Sequence, residues 1–374
     1  MMQVKPLLRA CSREAICRMH GIGRSCGLST SPSEPVCFVT EKADWAIRWV
    51  GEYIKMGIDD ERQGFISLTT KPAKVAHRVV HFGSQYMWLS WGRHMATNNR
   101  FVTSFFHGKP EDGPDAARHI DEFLASTGRL SKIVVSASLI ERRLTGWGVD
   151  PTKLERIPIG CDTAHFKPPR PEERNRARAR IGVPDGAICI GSFQKDGVGW
   201  GDGMEPKMIK GPDVFVEAVR QLARDLPVFV VLTGPARGYV KANLEKHGIP
   251  YHHTFLDDYK DVAGFHHALD LYLVTSREEG GPMALMEAMA SHVPVVSTRV
   301  GQAEDLIHDG VTGGLVDSDD IDGLCEKARA LLQRPPDIAQ ENLTAARRTV
   351  VDGFDWAHVA REHQNRVYLP LLED

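Results

Sequence analysis

The side chains best suited to chemistry lie in one stretch of the chain, Ser276-Arg277-Glu278-Glu279-Gly280-Gly281-Pro282-Met283-Ala284-Leu285-Met286-Glu287-Ala288-Met289-Ala290. It leaves a predicted strand, Leu271 to Thr275, passes two glycines and a proline, and enters a predicted helix from Met283 to Ser291. In parallel α/β sheets, ligands bind outside the carboxyl ends of the strands, where this loop must sit. Gly280 and Gly281 let the backbone come close to a ligand. The first turn of the helix offers N–H groups without intrahelical partners and a positive dipole end. Both suit a phosphate or a polar sugar. Glu287 stands in Met-Ala-Leu-Met-Glu-Ala-Met-Ala, which is otherwise apolar. If buried, its carboxylate needs hydrogen-bond donors, and ribose hydroxyls would serve. Spacing alone leaves the alternative open, with Glu287 on an exposed helix face.

The elements that must position this loop alternate in type. Strands are predicted at Pro35 to Thr40, Val79 to Phe82, Phe101 to Phe106 and Ile133 to Ser136, with helices at Ala43 to Ile54 and Ala116 to Ala125. The second half repeats the pattern. Strands fall at Ile188 to Phe193, Val228 to Leu232, Leu271 to Thr275 and Val293 to Ser297, and helices at Pro212 to Leu222, Ile321 to Leu332 and Phe354 to Leu369. Such alternation predicts parallel sheets in an α/β protein. A Pro-Pro-Arg-Pro break at 168–171, followed by a run of Arg and Glu, reads as a solvated linker and helix. A length of 374 residues exceeds what one core usually organises, so two domains are expected. The expected division is an unstructured extension 1–33, domains 34–167 and 168–353, and a last amphipathic helix 354–374.

Composition sets further bounds. Net charge is −3 and the pI about 6.6, which argues against a dedicated nucleic-acid binder. No apolar run is long enough to span a bilayer. Seven scattered cysteines with no Cys-x-x-Cys pairing suggest a reduced, cytosolic setting with buried free thiols. In the first thirty residues five basic side chains stand against Glu14 alone, a composition that also fits a transit peptide.

Glu279 and Glu287, with seven residues between them, resemble the paired glutamates of the retaining glycosyltransferases of family 4. The flanks agree: Ser276 before the loop, Val293-Pro294-Val295-Val296-Ser297-Thr298 after it, Glu304 to Val316 with Gly310 and Gly313, and Ile157-Pro158-Ile159-Gly160-Cys161-Asp162 earlier. The resemblance runs from about Phe101 to the C-terminus. It implies two Rossmann-like domains facing across a cleft, the B-type glycosyltransferase fold, with the last helix crossing back to the N-terminal domain. It implies that Glu279 contacts the transferred sugar, that Glu287 holds the ribose, and that the backbone of Gly280, Gly281, Pro282, Met283 and Ala284 lines the sugar and phosphates. Lys210-Gly211 matches the lysine-glycine before the first helix of the donor domain, where a fixed positive charge would neutralise the diphosphate leaving group. His107, followed by Gly108, resembles the histidine of the acceptor-side domain that faces the donor sugar.

This sequence also departs from the pattern. After Gly191, where the family often has arginine, stands Ser192, and a long segment, Gln194 to Met208, intervenes before Lys210. Lys195 or Lys207 would then supply the missing charge. His292 occupies a turn position commonly held by glycine, and Glu41-Lys42-Ala43-Asp44-Trp45 replaces the usual glycine-rich loop after the first strand. Asp317-Ser318-Asp319 has the spacing of a metal-binding Asp-x-Asp but precedes a helix, where capping explains it. No cofactor or required metal is expected. The expected partners are a nucleotide-sugar donor and a glycan, lipid-linked or small-molecule hydroxyl acceptor, with no nucleic acid. The expected location is the cytoplasm, with peripheral contact at the inner face of the membrane as a further option. A sugar-nucleotide epimerase and an inactive nucleotide-sugar-binding subunit are the rival readings. The absence of a G-x-G-x-x-G after the first strand disfavours an NAD dehydrogenase.

Overall fold

A computed structural model describes residues 4–26, 31–41 and 46–373. The chain divides into two compact units. One comprises Met1–Ile159 with Trp356–Asp374, and the other Gly160–Asp355. Among the described residues each unit holds one six-stranded parallel sheet.

In the first unit the strands are β1 (Val36–Val39), β2 (Ile66–Thr69), β3 (Val79–Phe82), β4 (Arg100–Phe105), β5 (Lys132–Val135) and β6 (Leu154–Arg156), in the order β2-β1-β3-β4-β5-β6. In the second they are β7 (Ile188–Phe193), β8 (Val228–Thr233), β9 (Tyr251–Thr254), β10 (Leu271–Val274), β11 (Val295–Thr298) and β12 (Gly314–Val316), in the order β12-β11-β10-β7-β8-β9. Every strand pair is parallel, and the central strands are continuous apolar runs such as Val228-Phe-Val-Val-Leu, fully buried between helices. The second order is the doubly wound one. Its direction of winding reverses between β7 and β10, which pair through Ile190 with Leu271 and Gly191 with Tyr272. Ligands bind in the crevice outside the carboxyl ends of the strands at such a reversal. The first unit reverses at β1.

Several expectations need correction. The extension 1–33 contains a helix, Val4–Ser25. Cys17 is buried in the core of the first unit, and Arg24 donates to the Lys74 carbonyl at 3.0 Å. Arg13 likewise bonds the body of the unit, reaching the Ser90 carbonyl at 3.2 Å. Residues 27–30 of that expected extension, and 42–45 of the replaced loop, lie outside the described residues. The helix expected at 43–54 is Ala46–Asp59. The division falls at Gly160 rather than 168, because Cys161 N donates to the Phe354 carbonyl and Thr163 to Asp355, tying 160–167 into the second unit. The expected last helix starts at Trp356 rather than Phe354, which ends a separate helix Pro336–Phe354, and it runs through Trp356–Glu362, a π-helical stretch His363–Tyr368 and Leu369–Glu373. Trp356 stacks on Tyr53 with centroids 5.1 Å apart, and the Tyr368 hydroxyl meets His81 at 2.8 Å, within the first unit.

Candidate functional site

The loops leaving β7 and β10 are clamped together at the winding reversal. Thr275 donates to the Gly211 carbonyl at 2.9 Å, Arg277 N to the Ile209 carbonyl at 2.8 Å, and Thr298 to the Ser276 carbonyl at 2.6 Å. Two glycines permit this approach. Gly211 has φ 60°, and a Cβ there would lie 1.9 Å from the Thr275 oxygen. Gly301 has φ 48°, and a Cβ would lie 2.6 Å from the Gly280 oxygen. Only glycine adopts such a conformation against backbone without strain.

Within this clamp Lys210 and Glu279 form an ion pair at 2.5 Å, and Ser276 donates to the same Glu279 oxygen at 2.9 Å. Lys210 comes from the turn before the helix Pro212–Leu222, and Glu279 from the loop before the helix Met283–Ala290. Gly280, Gly281 and Pro282 carry the chain into that second helix, whose first residues, Met283 and Ala284, are half-buried. Glu287 follows one turn later and is 2% exposed. Its Oε2 lies 3.4 Å from His266 Nε2, and its Oε1 has no hydrogen-bond partner. Burial pushes the Glu287 carboxyl up to about 8. Burial also holds the His266 imidazole down at about 3, so it stays neutral beside the carboxyl. The exposed alternative for Glu287 is thereby excluded. A buried carboxyl with an orphaned oxygen is costly, and a ligand bearing two hydroxyls would relieve it.

Sequence reasoning missed the support of this centre. Arg277, pointing away from the pair, donates to both oxygens of Asp213 at 2.9 and 2.7 Å and pairs with Asp319 at 2.6 Å. Asp319 is thus an arginine partner. The helix Ile321–Leu332 is capped by Asp320, which accepts from Gly323 N at 2.9 Å, rather than from within 317–319. Ser192 is buried and accepts from Arg237 at both its carbonyl (2.7 Å) and its hydroxyl (3.2 Å). No sequence motif marks Arg237. Gly191 packs tightly, with a Cβ there meeting Leu269 at 2.3 Å. Lys195 lies over the Trp200 ring at 4.1 Å. His107 belongs to the other unit, just past β4, where Gln85 donates to its carbonyl at 3.0 Å and Arg143 to that of Gly108 at 3.1 Å.

The first unit has a cavity of its own, about 1060 Å³, at the carboxyl ends of β1 and β2. Thr40, Arg48, Glu52, Lys71 and Lys74 line it among the described residues. Thr40 is buried, and among the described residues its hydroxyl has no partner.

The two sheets and the clamped loops define a class: this is an α/β chain of two Rossmann-like domains with the fold of B-type glycosyltransferases. The fold matches that of Anabaena Alr3699/HepE in complex with UDP-glucose (TM-score 0.73, 15% identity, 89% of this chain and 98% of that one). It also matches sucrose-phosphate synthase from Thermosynechococcus elongatus (TM-score 0.64, 18% identity, 92% and 88%). Residues 201–334 match the family "Glycosyl transferases group 1". In sequence the chain is similar to the lipopolysaccharide core biosynthesis mannosyltransferase LpsB of Rhizobium meliloti (strain 1021), 27% identical over 51% of this chain and 54% of that protein. It is also similar to the D-inositol 3-phosphate glycosyltransferase of Rhodococcus erythropolis, 26% identical over 76% and 65%. The chain thus spans between about half and two thirds of the length of these relatives.

Proposed function

We propose that this protein is a retaining glycosyltransferase of the family 4 type that moves a sugar from a nucleotide-sugar donor to a hydroxyl acceptor. The observation that carries this reading is the buried, half-orphaned Glu287 on the helix that follows the Lys210–Glu279 pair, at the winding reversal of a doubly wound sheet. The ribose hydroxyls donate to Glu287. The diphosphate lies against Lys210 and the N-terminus of the helix Met283–Ala290. Glu279, freed from Lys210 by the phosphates, accepts hydroxyls of the sugar.

Retention requires the incoming hydroxyl and the leaving diphosphate to share one face of the sugar, or two successive inversions. In this reading Glu279 is committed to hydroxyls of the sugar and the buried Glu287 to the ribose, so neither carboxylate acts as the nucleophile of a double inversion, and the attack is front-face and assisted by the departing phosphate. As the glycosidic bond breaks, charge grows on the diphosphate. Lys210 and the helix N–H groups are fixed where it grows, which is the electrostatic help such a step needs. Lysine supplies that charge without a metal, so turnover should persist in excess chelator. The acceptor binds in the first unit, on which His107 and the cavity beside Thr40 lie. Unit Gly160–Asp355 is the donor domain. Among the described residues no helix is long and apolar enough to cross a membrane.

The reading is tested by a thermal-shift screen against UDP-, GDP-, ADP- and dTDP-sugars, followed by product analysis with the donor that binds. Ligand at a hundred times its dissociation constant should add about 2.7 kcal/mol. An epimerase would interconvert the donor without acceptor, and an inactive subunit would bind it and release neither sugar nor diphosphate. Either result overturns the proposal.

A further inference from the structure

Resting on that reading, the class of acceptor can be read from the cavity of about 1060 Å³ in the first unit. Every described residue that lines it falls between Ile16 and Trp91, before Phe101, where the family resemblance begins. Small-molecule sites are clefts of roughly 300–1,000 Å³, so the space admits more than one sugar ring. Thr40, at the end of β1, lines the cavity and is 8% exposed, and its hydroxyl has no partner among the described residues. A buried hydroxyl left unpaired is costly, and a polar ligand in the cavity would pair it.

The charges of the lining are unbalanced. Arg48 and Glu52 hold each other at 2.7 Å. Lys71 precedes and Lys74 ends the short 3₁₀ turn Pro72–Lys74 that follows β2. Neither ammonium has a hydrogen bond or an ion pair among the described residues. Glu41 is the remaining carboxylate of the lining, so two ammonium groups stand against one anion. Thr69 and Thr70 add hydroxyls beside them. A phosphate monoester carries close to two negative charges at neutral pH, and lysine binds it as a point charge. A carboxylate would satisfy one of the two ammonium groups and leave the other without an anion.

One wall comes from the helix Val4–Ser25, which contributes Ile16 and His20, four residues apart and so on one helix face. The helix is held on two sides of the cavity. Arg13 donates to the Ser90 carbonyl at 3.2 Å and lies 5.1 Å over the ring of Trp91, itself a lining residue. Arg24 donates to the carbonyl of Lys74 at 3.0 Å. Between these two arginines Cys17 is buried in the core of the unit. The helix is therefore built into the cavity, and its arginines fix two residues of the lining.

We propose that this cavity is the acceptor site, that the acceptor is a polyhydroxyl compound bearing a phosphate monoester, and that the helix Val4–Ser25 is an integral wall of the site. The phosphate lies against Lys71 and Lys74. Thr40 and Glu41 take hydroxyls of the acceptor, and Ile16 and Trp91 give it apolar surface. The ester is either a soluble sugar phosphate or the headgroup of a lipid, since both present the same group.

Calorimetry on the full chain without donor tests this with glucose 6-phosphate, mannose 6-phosphate, inositol 1-phosphate and glycerol 3-phosphate. Each is compared with its unphosphorylated parent, and the hexose phosphates also with glucuronate. Sedimentation with phosphatidylcholine vesicles, with and without phosphatidylinositol 4-phosphate, covers the lipid source. One ester, or the phosphoinositide vesicles alone, should bind roughly tenfold tighter than its uncharged counterpart, a factor within reach of one charge-assisted bond. Lys71→Met and Lys74→Met should each remove most of that preference. Thr40→Val should weaken the ester and raise the melting midpoint, because it deletes the buried orphan. A threonine with only a structural role would lower the midpoint and leave binding alone. Ile16→Ala and His20→Ala should each weaken the ester several-fold without changing nucleoside-diphosphate affinity, which reports on the second unit of the same samples. Wild-type ester affinity in both would remove the helix from the site. No preference for any ester or for the phosphoinositide vesicles, or glucuronate binding as tightly as the best ester, would overturn the phosphate assignment. Nucleoside-diphosphate binding without ester binding sinks this inference alone. Ester binding in a chain that binds no UDP, GDP or ADP sinks the glycosyltransferase reading and the acceptor role with it.

Discussion

Glu287 links protonation to binding. Its carboxyl titrates near 8 in the folded chain, against an ordinary value of 4.5. Between those values the native state holds a proton that the unfolded state has lost, so this residue lowers stability as pH rises from 4.5 to 8. Glu287→Gln removes that slope. Urea unfolding at pH 5 and pH 8 should show the variant gaining on wild type, by on the order of 3 kcal/mol across the window. Ribose hydroxyls must meet the ionised form, so nucleotide binding at pH 7 should release a proton and tighten toward pH 8. Calorimetry in two buffers of different ionisation heat reads this directly, and the variant should lose roughly 1.5–3 kcal/mol of nucleotide affinity. The other two residues separate differently. Glu279→Ala should reduce turnover more than nucleoside-diphosphate affinity, because that ligand lacks the sugar. Lys210→Ala should reduce both. Equal loss of diphosphate affinity in all three variants would mean that the ribose-side and sugar-side roles are misassigned.

The site depends on short elements that end abruptly. The helix Met283–Ala290 stops where Val293 N turns back to the Ala288 carbonyl at 2.9 Å, and the turn puts His292 at φ 58°. Such a left-handed position after a helix normally takes glycine. A side chain there costs roughly 1 kcal/mol. His292→Gly should therefore raise the denaturation midpoint with little effect on turnover, and a lower midpoint would show that the imidazole makes a compensating contact. That position was foreseeable only through the resemblance, since the family commonly has glycine there. The hairpin 194–208 was not, because its glycines and charges have no periodicity. In it Gly197 and Pro206 form an antiparallel bridge, and the buried Asp196 is paired with Arg237, more than forty residues later.

At the scale of the molecule, the chain passes out of the first unit after Ile159 and returns to it at Trp356. The returning segment carries buried Trp356, Val359, Val367 and Tyr368, and Gly57 makes room for it, since a Cβ there would lie 2.6 Å from that of Ala360. A chain ending at residue 355 should lose the cooperative unfolding of the first unit yet keep nucleotide binding in the second. Calorimetric scans with and without nucleotide would show one transition lost and the ligand-sensitive one retained. The loss of both would mean that the units do not fold separately. The alternation of apolar runs with helical patterns was enough to determine a parallel α/β chain, because side-chain periodicity and turn chemistry are local, and the chain's length gave the expectation of two domains. The loop Ser276–Ala290 was legible for the same reason: glycines, a helix start and a carboxylate in an apolar helix are all adjacent in sequence. Short strands such as β2, β9 and β12 escaped notice, since three or four half-patterned residues become strands only when a neighbour supplies hydrogen bonds. The helix Val4–Ser25 read as an extension because its composition is basic and acid-poor, and the carbonyls that Arg13 and Arg24 bond lie far along the chain. Lys210, which pairs with Glu279, and His266, which lies beside Glu287, are 69 and 21 residues away from them in the chain. Whether Glu287 faced solvent or the interior, and which oxygen it left unpaired, was decided by tertiary packing, because burial and desolvation depend on all the groups that converge on a residue and not on its neighbours in sequence.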